Sequence, residues 1–129
     1  MSDDVSISFD LPLPPSKNRR TVRKGVYVKS RRKYLNLPVL SPDTIAYRIY
    51  VKNHLEKLMI YFSKDKKIVL ECTWRKPRKN CDVHNYHAEL CDATAPAMGL
   101  DDKMFLVRDI NFTVEPKNPG VWVKMFYLE

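Results

Sequence analysis

Segments with the two-residue repeat of a β-strand alternate with helix-like segments along this chain of 129 residues. Four segments alternate like strands, at residues 5–13, 67–74, 104–114 and 121–128. Two further segments favour helices, at residues 42–62 and 83–95. Because two helices are too few to cover both faces of a sheet, the pattern predicts an α+β fold. We expect a mixed four-stranded sheet with two main helices on one face, in the order β-α-β-α-β-β.

The first helix has a strong start signal in Ser41-Pro42-Asp43. A serine can cap the helix, a proline suits its first position, and an aspartate favours the positive end of its dipole. One apolar stripe comprises Val51, Leu55, Leu58 and Phe62, and a second comprises Ile45, Ile49 and Ile60. A helix that is apolar on two sides is buried twice. The hypothesis is that one side faces the core and the other a partner subunit.

The second helix and the third sheet strand also divide into faces. In the helix, one face is apolar and comprises Val83, Tyr86, Leu90 and Ala93. Asn85, Glu89 and Asp92 share another face, where we expect Glu89 and Asp92 to be solvated. Pro96 and Gly99 are expected to end this helix. The alternation of the following strand predicts one face formed by Met104, Leu106, Ile110, Phe112 and Val114.

Composition limits the class of protein. The length is that of a single domain, which we place at residues 1–129, and 44% of the side chains are hydrophobic, as in folded proteins. No segment has the length of apolar sequence that a membrane span needs, and the first four residues lack the features of a secretion signal. Three cysteines cannot all pair within one chain. We therefore expect a reduced, cytoplasmic protein.

Charge is strongly segregated along the chain, whose net charge is +8. Nine basic residues and no acidic residue lie between Lys17 and Lys33, and four more occur in Arg75-Lys-Pro-Arg-Lys79. From Asp82 to Asp102 the sign inverts, with five acidic residues and neither lysine nor arginine. The basic excess favours a polyanionic partner, most commonly nucleic acid. The basic segment over residues 20–36 fits either an exposed hairpin or an ordered loop.

The acidic segment contains a candidate metal site. Asp82 and His84 can act together only if Asp82 lies just before the helix, as its cap, with His84 in the first turn. Asp101 and Asp102 could then fold back toward Asp82 and provide carboxylates for Mg²⁺. Such an ion beside a cationic surface suits phosphodiester hydrolysis, because it polarises the phosphate and activates water. The alternative is that Asp82 is only a helix cap.

A zinc site is a weaker interpretation of the same segment. Cys81, His84, His87 and Cys91 would extend along about 15 Å of one helix, too far to surround a tetrahedral ion. His87 and Cys91 could supply half of a site, with Cys72 as an outside ligand, although Cys72 and Cys91 are more simply small core residues. The sequence has no phosphate-binding glycine loop and no serine-hydrolase motif.

Several of these features occur together in a known family. Pro14-Pro15-Ser16-Lys17-Asn18-Arg19 follows the first strand, Asp82-Val83-His84-Asn85 precedes the second helix, and Leu100-Asp101-Asp102 follows it. In this order, over essentially the whole chain, they resemble the RusA family of Holliday-junction resolvases. These are small homodimeric, Mg²⁺-dependent endonucleases, common in prophages.

The resemblance implies a set of site residues and two departures. The family pattern is Asp-x-Asp-Asn followed by Leu-Asp-Asp, so the implied catalytic residues are Asp82, His84 and Asp102, and Asp101 would help to hold the metal. His84 stands where a second carboxylate is usual, and Ala88 stands where a catalytic lysine is often found. Because imidazole offers nitrogen and no negative charge, Mn²⁺ suits this set better than Mg²⁺. The missing lysine removes a cation that could stabilise charge on the phosphate.

The resemblance and the charge pattern together give the functional expectation. It is a homodimeric, structure-selective endonuclease that resolves four-way DNA junctions in recombination and repair. The residues expected to contact DNA are Lys17, Asn18, Arg19, Arg20, Arg23, Lys24, Arg31, Arg32, Arg75, Lys76, Arg78 and Lys79. The alternatives are a junction- or DNA-binding protein without catalysis, motivated by His84 and Ala88, and an RNA-binding or host-takeover protein of a mobile element.

Overall fold

Six β-strands and two α-helices follow one another in the predicted order, with a hairpin in place of the basic segment. A computed structural model describes residues 5–129 of the chain. Residues 1–4, on which the expectation of no secretion signal depended, lie outside the described residues. The strands are β1 (Ser6–Leu11), β2 (Thr21–Val28), β3 (Lys33–Leu40), β4 (Ile68–Lys76), β5 (Phe105–Val114) and β6 (Gly120–Tyr127). The helices are α1 (Pro42–Glu56) and α2 (His87–Ala97).

Four of the strands form one mixed sheet in the spatial order β1-β6-β4-β5. Strand β6 pairs antiparallel with both β1 and β4, whereas β4 and β5 are parallel. The parallel pair requires a crossover connection, and α2 lies in that connection. The sequence therefore correctly predicts an α+β fold with a mixed four-stranded sheet and two helices.

One face of this sheet packs against both helices and forms the core. Along β1 and β6 every second residue is buried, and the alternate residues are exposed or half-buried. From the helices, Val51 and Leu55 of α1 and Leu90 of α2 join the same buried cluster. Trp122, on the opposite face of β6, is largely exposed. The helices consequently cover one face only.

Helix α1 begins as predicted but ends early. The Ser41 hydroxyl accepts a hydrogen bond from the Thr44 backbone N–H, which confirms the predicted cap. The helix ends at Glu56 rather than near Phe62, because Met59 adopts a left-handed conformation with φ of 51°. Phe62 is still buried, with its ring edge-on to Tyr127, whereas Ile60 lies outside the helix.

The predicted second helix consists of two parts. Residues Val83–Tyr86 form a short 3₁₀ helix, and α2 follows from His87. The prediction that Pro96 ends the helix is wrong by a residue, since Pro96 lies inside the last turn. Gly99, with φ of 67°, adopts the left-handed conformation that favours glycine after a helix, and the Leu100 N–H then donates to the Ala95 carbonyl.

A β-bulge in β5 overturns the predicted face of that strand. Cys72 of β4 is paired with Asp109, but the next residue, Thr73, is paired with Asn111, so Ile110 is the extra residue. The bulge shifts the alternation of β5. Leu106 aligns with Val69 and Phe112 with Trp74, and these two β4 positions lie on opposite faces. The predicted face from Met104 to Val114 is therefore wrong.

Strands β2 and β3 form a separate antiparallel hairpin, which decides between the two interpretations of the basic segment. None of residues 21–40, all of which the structure describes, is buried. The hairpin is fastened at its base, where the Ser41 N–H and the Thr44 hydroxyl donate to the Arg20 carbonyl. The basic segment thus extends from the domain on an anchored base.

A buried carboxylate joins the hairpin base to both helices. Glu89 of α2 is fully buried and accepts hydrogen bonds from Arg20 Nε at 2.9 Å and Arg48 Nε at 2.8 Å. Arg20 also pairs with Asp92, and a second nitrogen of Arg48 donates to Glu89 at 2.9 Å. The expectation that Glu89 is solvated is wrong, because the two arginines compensate its burial.

Within residues 5–129, no helix is long and apolar enough to cross a membrane.

We predict that Glu89→Gln lowers the free energy of unfolding by about 3 kcal/mol, because it removes the fully buried counter-charge of two partly buried guanidinium groups, which are then left to share Asp92. Urea denaturation measures the change. The matched control is Glu56→Gln, an exposed position in the last turn of α1, which should change stability by less than about 0.5 kcal/mol. Equal stability of the two variants would contradict the structural role of Glu89.

Candidate metal centre and nucleic-acid surface

Asp82 has the position that the sequence predicts for a cap. It precedes the 3₁₀ helix in an extended conformation, and its Oδ1 accepts a hydrogen bond from the His84 N–H at 3.0 Å. His84 consequently lies in the first turn, as a joint role of the two residues requires. Both side chains are exposed to solvent.

Three potential metal ligands converge beside this turn. Ligand atoms of His84, His87 and Asp109 all lie within 4.8 Å of one another, and among residues 5–129 they form the one such group of three. Ligands placed about 2.0–2.2 Å from an ion are at most about 4.4 Å apart, so a small rotation of the exposed His84 ring would close the site. This cluster can therefore hold a metal ion. Two imidazoles and one carboxylate suit Mn²⁺ or Zn²⁺ better than Mg²⁺.

Neighbouring side chains hold this cluster in place. Asp109 Oδ1 lies 2.9 Å from His87 Nε2 and accepts a hydrogen bond from Trp74 Nε1 at 2.8 Å. The His87 ring is stacked on Trp74, which is fully buried, and contacts the edge of the His84 ring at a centroid distance of 4.9 Å. Asp109 belongs to the bulge in β5, an irregularity that often re-aims a side chain next to a functional site. The buried tryptophan thus orients two of the three ligands.

The Asp82 turn also borders a cavity that contains the other predicted motif. Asn18 and Arg19, from the short 3₁₀ helix after the Pro14-Pro15-Ser16 segment, line this cavity together with Arg78 and Asp82. Two segments separated by about 60 residues are thereby brought to one place. Their amide and guanidinium groups can bind phosphate oxygens beside the turn that begins at Asp82.

Asp102 lies in different surroundings from Asp82. It borders a separate cavity with Asp92, Asp101 and Arg48, and it is hydrogen-bonded to Asp92. This contact, together with some desolvation and the charge of Asp92, raises the pKa of Asp102 above its usual range. The pKa of Asp101 is instead lowered, because the Lys103 N–H donates to its carboxylate. Asp92 already has two cationic partners, Arg20 and Arg48, which would compete with a metal ion there.

The cysteines are poor candidates for metal ligands. All three are free thiols, and burial is the main cause that raises the pKa of Cys91 to about 12 and the pKa of Cys72 further still. Cys81 is buried with its sulfur 2.7 Å from the Tyr86 hydroxyl, whose pKa is raised to about 12, again mainly by burial. Because metals bind the thiolate, the raised pKa values of Cys72 and Cys91 disfavour both as ligands. Cys72 is a buried core residue, as predicted, whereas Cys91 is half-buried.

Four of the cations expected to contact DNA have partners within the protein, among them Arg23, which donates to the Asn36 carbonyl at 2.7 Å. Arg20 is paired with Glu89 and Asp92, and Arg75 makes two hydrogen bonds to Asp10. Lys76 is buried, with its ammonium group 4.4 Å from the centre of the Phe112 ring. The other expected DNA contacts are seven cations and one amide, and their side chains are not buried: Lys17, Asn18, Arg19, Lys24, Arg31, Arg32, Arg78 and Lys79.

Sequence reasoning missed Asp109 and left His87 without its actual partners. The signal for Asp109 is a carboxylate in a strand where the alternate positions, Phe105 and Val107, are apolar and half-buried. For His87 the signal is its spacing of three from His84, which places both imidazoles on one side of a helical turn.

A comparison with protein-family models finds no match to this chain, and neither does a comparison with curated proteins.

We predict that Mn²⁺ or Zn²⁺ stabilises the protein through the His84–His87–Asp109 cluster. At 100 times the dissociation constant, a single site adds about 2.7 kcal/mol to the free energy of unfolding. Thermal denaturation with and without metal should show this shift in wild type but not in His84→Ala, His87→Ala or Asp109→Asn.

The asparagine variant retains an acceptor for Trp74, so its effect on folding is small. His54→Ala is the matched control, since His54 is the one histidine of the sequence outside the cluster and stacks on Tyr50 in α1. A metal shift that persists in all three cluster variants would contradict the site.

We also predict opposite effects of two neighbouring substitutions. A carboxyl whose pKa is raised in the folded state costs stability once it ionises, so Asp102→Asn should stabilise the protein slightly at pH 7, by about 0.5 kcal/mol or less. Asp101→Asn should destabilise it slightly, because its lowered pKa contributes stability above the unfolded value. Melting temperatures at pH 7 and pH 3 test this, and both differences should become smaller at the lower pH, where the carboxyl groups take up protons. The same sign for both variants at pH 7 would contradict the assignment.

Proposed function

We propose that this protein is a divalent-metal-dependent endonuclease that cuts branched DNA, with the four-way junction as its substrate. The observation that carries the proposal is the position of His84. By resemblance it occupies a metal-ligand position, and in the fold it belongs to the His84–His87–Asp109 cluster. The 3₁₀ turn that carries His84 also contributes Asn85 and Tyr86 to the cavity lined by Arg19 and Arg78. One turn thus carries a potential metal ligand and lines a cavity with phosphate-binding groups, which supports phosphodiester hydrolysis as the reaction.

The residues around this cluster would have different roles in phosphate binding, proton transfer and metal binding. Arg19 and Arg78 would bind the phosphates on either side of the scissile bond and hold the strand against the start of α2. Asp82, which is exposed, could accept a proton from water or join the ligand set. Mn²⁺ is the favoured ion for two imidazoles and one carboxylate, with Mg²⁺ as the ion implied by the family resemblance. When bound, the ion would polarise a phosphate oxygen and lower the pKa of a coordinated water.

The proposal includes a homodimer and a role in recombination and repair. Ile45 and Ile49 of α1 are 48% and 56% exposed, so the second apolar stripe is uncovered in the single chain. A second copy could cover it, and a two-fold dimer would present two equal sites to a two-fold symmetric junction. The implied prophage origin comes from the resemblance alone, whereas the cytoplasmic setting is also the expectation from the sequence.

We predict that wild type cleaves a labelled four-way junction in Mn²⁺, more slowly in Mg²⁺, and not in EDTA. His87→Ala and Asp109→Asn should lower the cleavage rate at least about 100-fold, since each removes a ligand, while His54→Ala should cleave like wild type. Asp82→Asn separates the capping role of Asp82 from its role as a proton acceptor. Asparagine still caps the helix but cannot take up a proton at neutral pH. Full activity of the cluster variants would contradict the proposed site.

A DNA-binding protein without catalysis is the second candidate. Ala88 favours it, because this position is exposed in the first turn of α2 and supplies no cation where the family often has lysine. Binding without cleavage in either metal would favour this candidate over the first. The double variant His84→Asp with Ala88→Lys then tests whether such a DNA-binding protein derives from a nuclease. Restored cleavage would show that these two substitutions had removed the activity. Lysine is compatible with the fold there, as Ala88 faces solvent.

A further inference from the structure

We propose that Tyr34, supported by Tyr27, stacks on the exposed base pair at the branch point of the DNA. This inference rests on the proposed function and adds residues that recognise the branch point of the DNA. Tyr27 of β2 and Tyr34 of β3 are directly opposite each other in the hairpin. Their ring centroids are 5.2 Å apart with an interplanar angle of 58°. The rings therefore support each other as a cross-strand aromatic pair.

Most of this pair is open to solvent. Tyr27 is 50% and Tyr34 is 75% exposed, although each ring contacts the other. An aromatic ring presented in this way has a free face on which a flat, apolar group can stack. Nucleobases are such groups, and stacking on an aromatic side chain is tolerant of base identity.

The surrounding charge selects nucleic acid as the partner. The turn between the two tyrosines is a short 3₁₀ helix that contains Lys29 and Arg31, and Arg32 and Lys33 come next. Arg32, with φ of 51°, closes this turn in the left-handed conformation. Four cations thus lie beside the rings, and no acidic residue occurs between Lys17 and Lys33. A second copy of this hairpin or a basic peptide would be repelled, whereas a phosphate backbone would be attracted.

The hairpin has the reach and the anchorage for this contact. Strands of eight residues at about 3.3 Å per residue place the tyrosine pair roughly 20–25 Å along the hairpin from its base. The base is held by the Ser41 and Thr44 hydrogen bonds and by the ion pair of Arg20 with Glu89. The rings can therefore lie at a distance from the metal cluster while the same DNA occupies both.

Stacking of this kind distinguishes a branch from a linear duplex. Within a duplex each base pair is covered on both faces by its neighbours, so no face is free for a side chain. At a branch point the stack is interrupted and a base-pair face or an unpaired base becomes accessible. Tyr34 would consequently add affinity for the junction and none for a linear duplex.

The experiment compares the dissociation constants of a four-way junction and of a linear duplex of equal length, at one salt concentration without metal. All duplex ends in both DNAs are closed by hairpin loops, because an open end would also expose a base-pair face. Tyr34→Ala should bind the junction about tenfold more weakly and the duplex unchanged, and Tyr34→Trp should restore junction binding. Tyr61→Ala is the matched control, because Tyr61 is 79% exposed but lies outside the hairpin. Fluorescence of 2-aminopurine at the branch point should be quenched by wild type and by the tryptophan variant only.

The outcomes separate this inference from the proposed function. If Tyr34→Ala binds the junction like wild type while wild type cleaves it in Mn²⁺, the inference is overturned and the proposed function stands. If wild type shows no preference for the junction and no cleavage, both are overturned. An equal loss on junction and duplex would also overturn the stacking role, since it would show a general contact with DNA.

Discussion

The buried Glu89 carboxylate is the interaction on which the arrangement of the site depends. Its two arginine partners come from the base of the hairpin and from α1, so one side chain of α2 fixes three elements relative to one another. The basic hairpin packs none of its own residues into the core, and its direction is set by its base. Removal of the carboxylate would break the ion pairs that hold the base of the hairpin against the first turns of α2.

This arrangement places potential metal ligands and cationic side chains around the same turn. The start of α2 carries His84 and His87, which meet Asp109 of β5, and the same turn borders the cavity that contains Arg19 and Arg78. In the middle of α2, Asp92 is neutralised by Arg20 and Arg48. Thus the carboxylates near Asp102 are already partly compensated by the protein, while the histidine cluster has ligand atoms directed at one another without an arginine between them.

Much of the fold was predictable from local patterns, and the site only in part. Alternation and the Ser41-Pro42-Asp43 cap were sufficient for the strands, the start of α1 and the α+β class, and the Asp82 cap follows from the same chemistry. The bulge at Ile110 was not predictable, because a single inserted residue depends on pairing with β4. Its consequence, the placement of Asp109 beside His87, was therefore missed as well. Glu89 was misassigned because its compensating arginines are 41 and 69 residues away in the chain. The RusA resemblance and the joint role of Asp82 with Asp102 stay predictions.

The central claim is that one ion binds where α2 begins. A crystal soaked in Mn²⁺ and measured at a wavelength with strong manganese anomalous scattering tests it most directly. The account predicts an anomalous peak about 2.0–2.3 Å from ligand atoms of His84, His87 and Asp109. A peak confined to the Asp101–Asp102 loop, with none at the histidines, would contradict it.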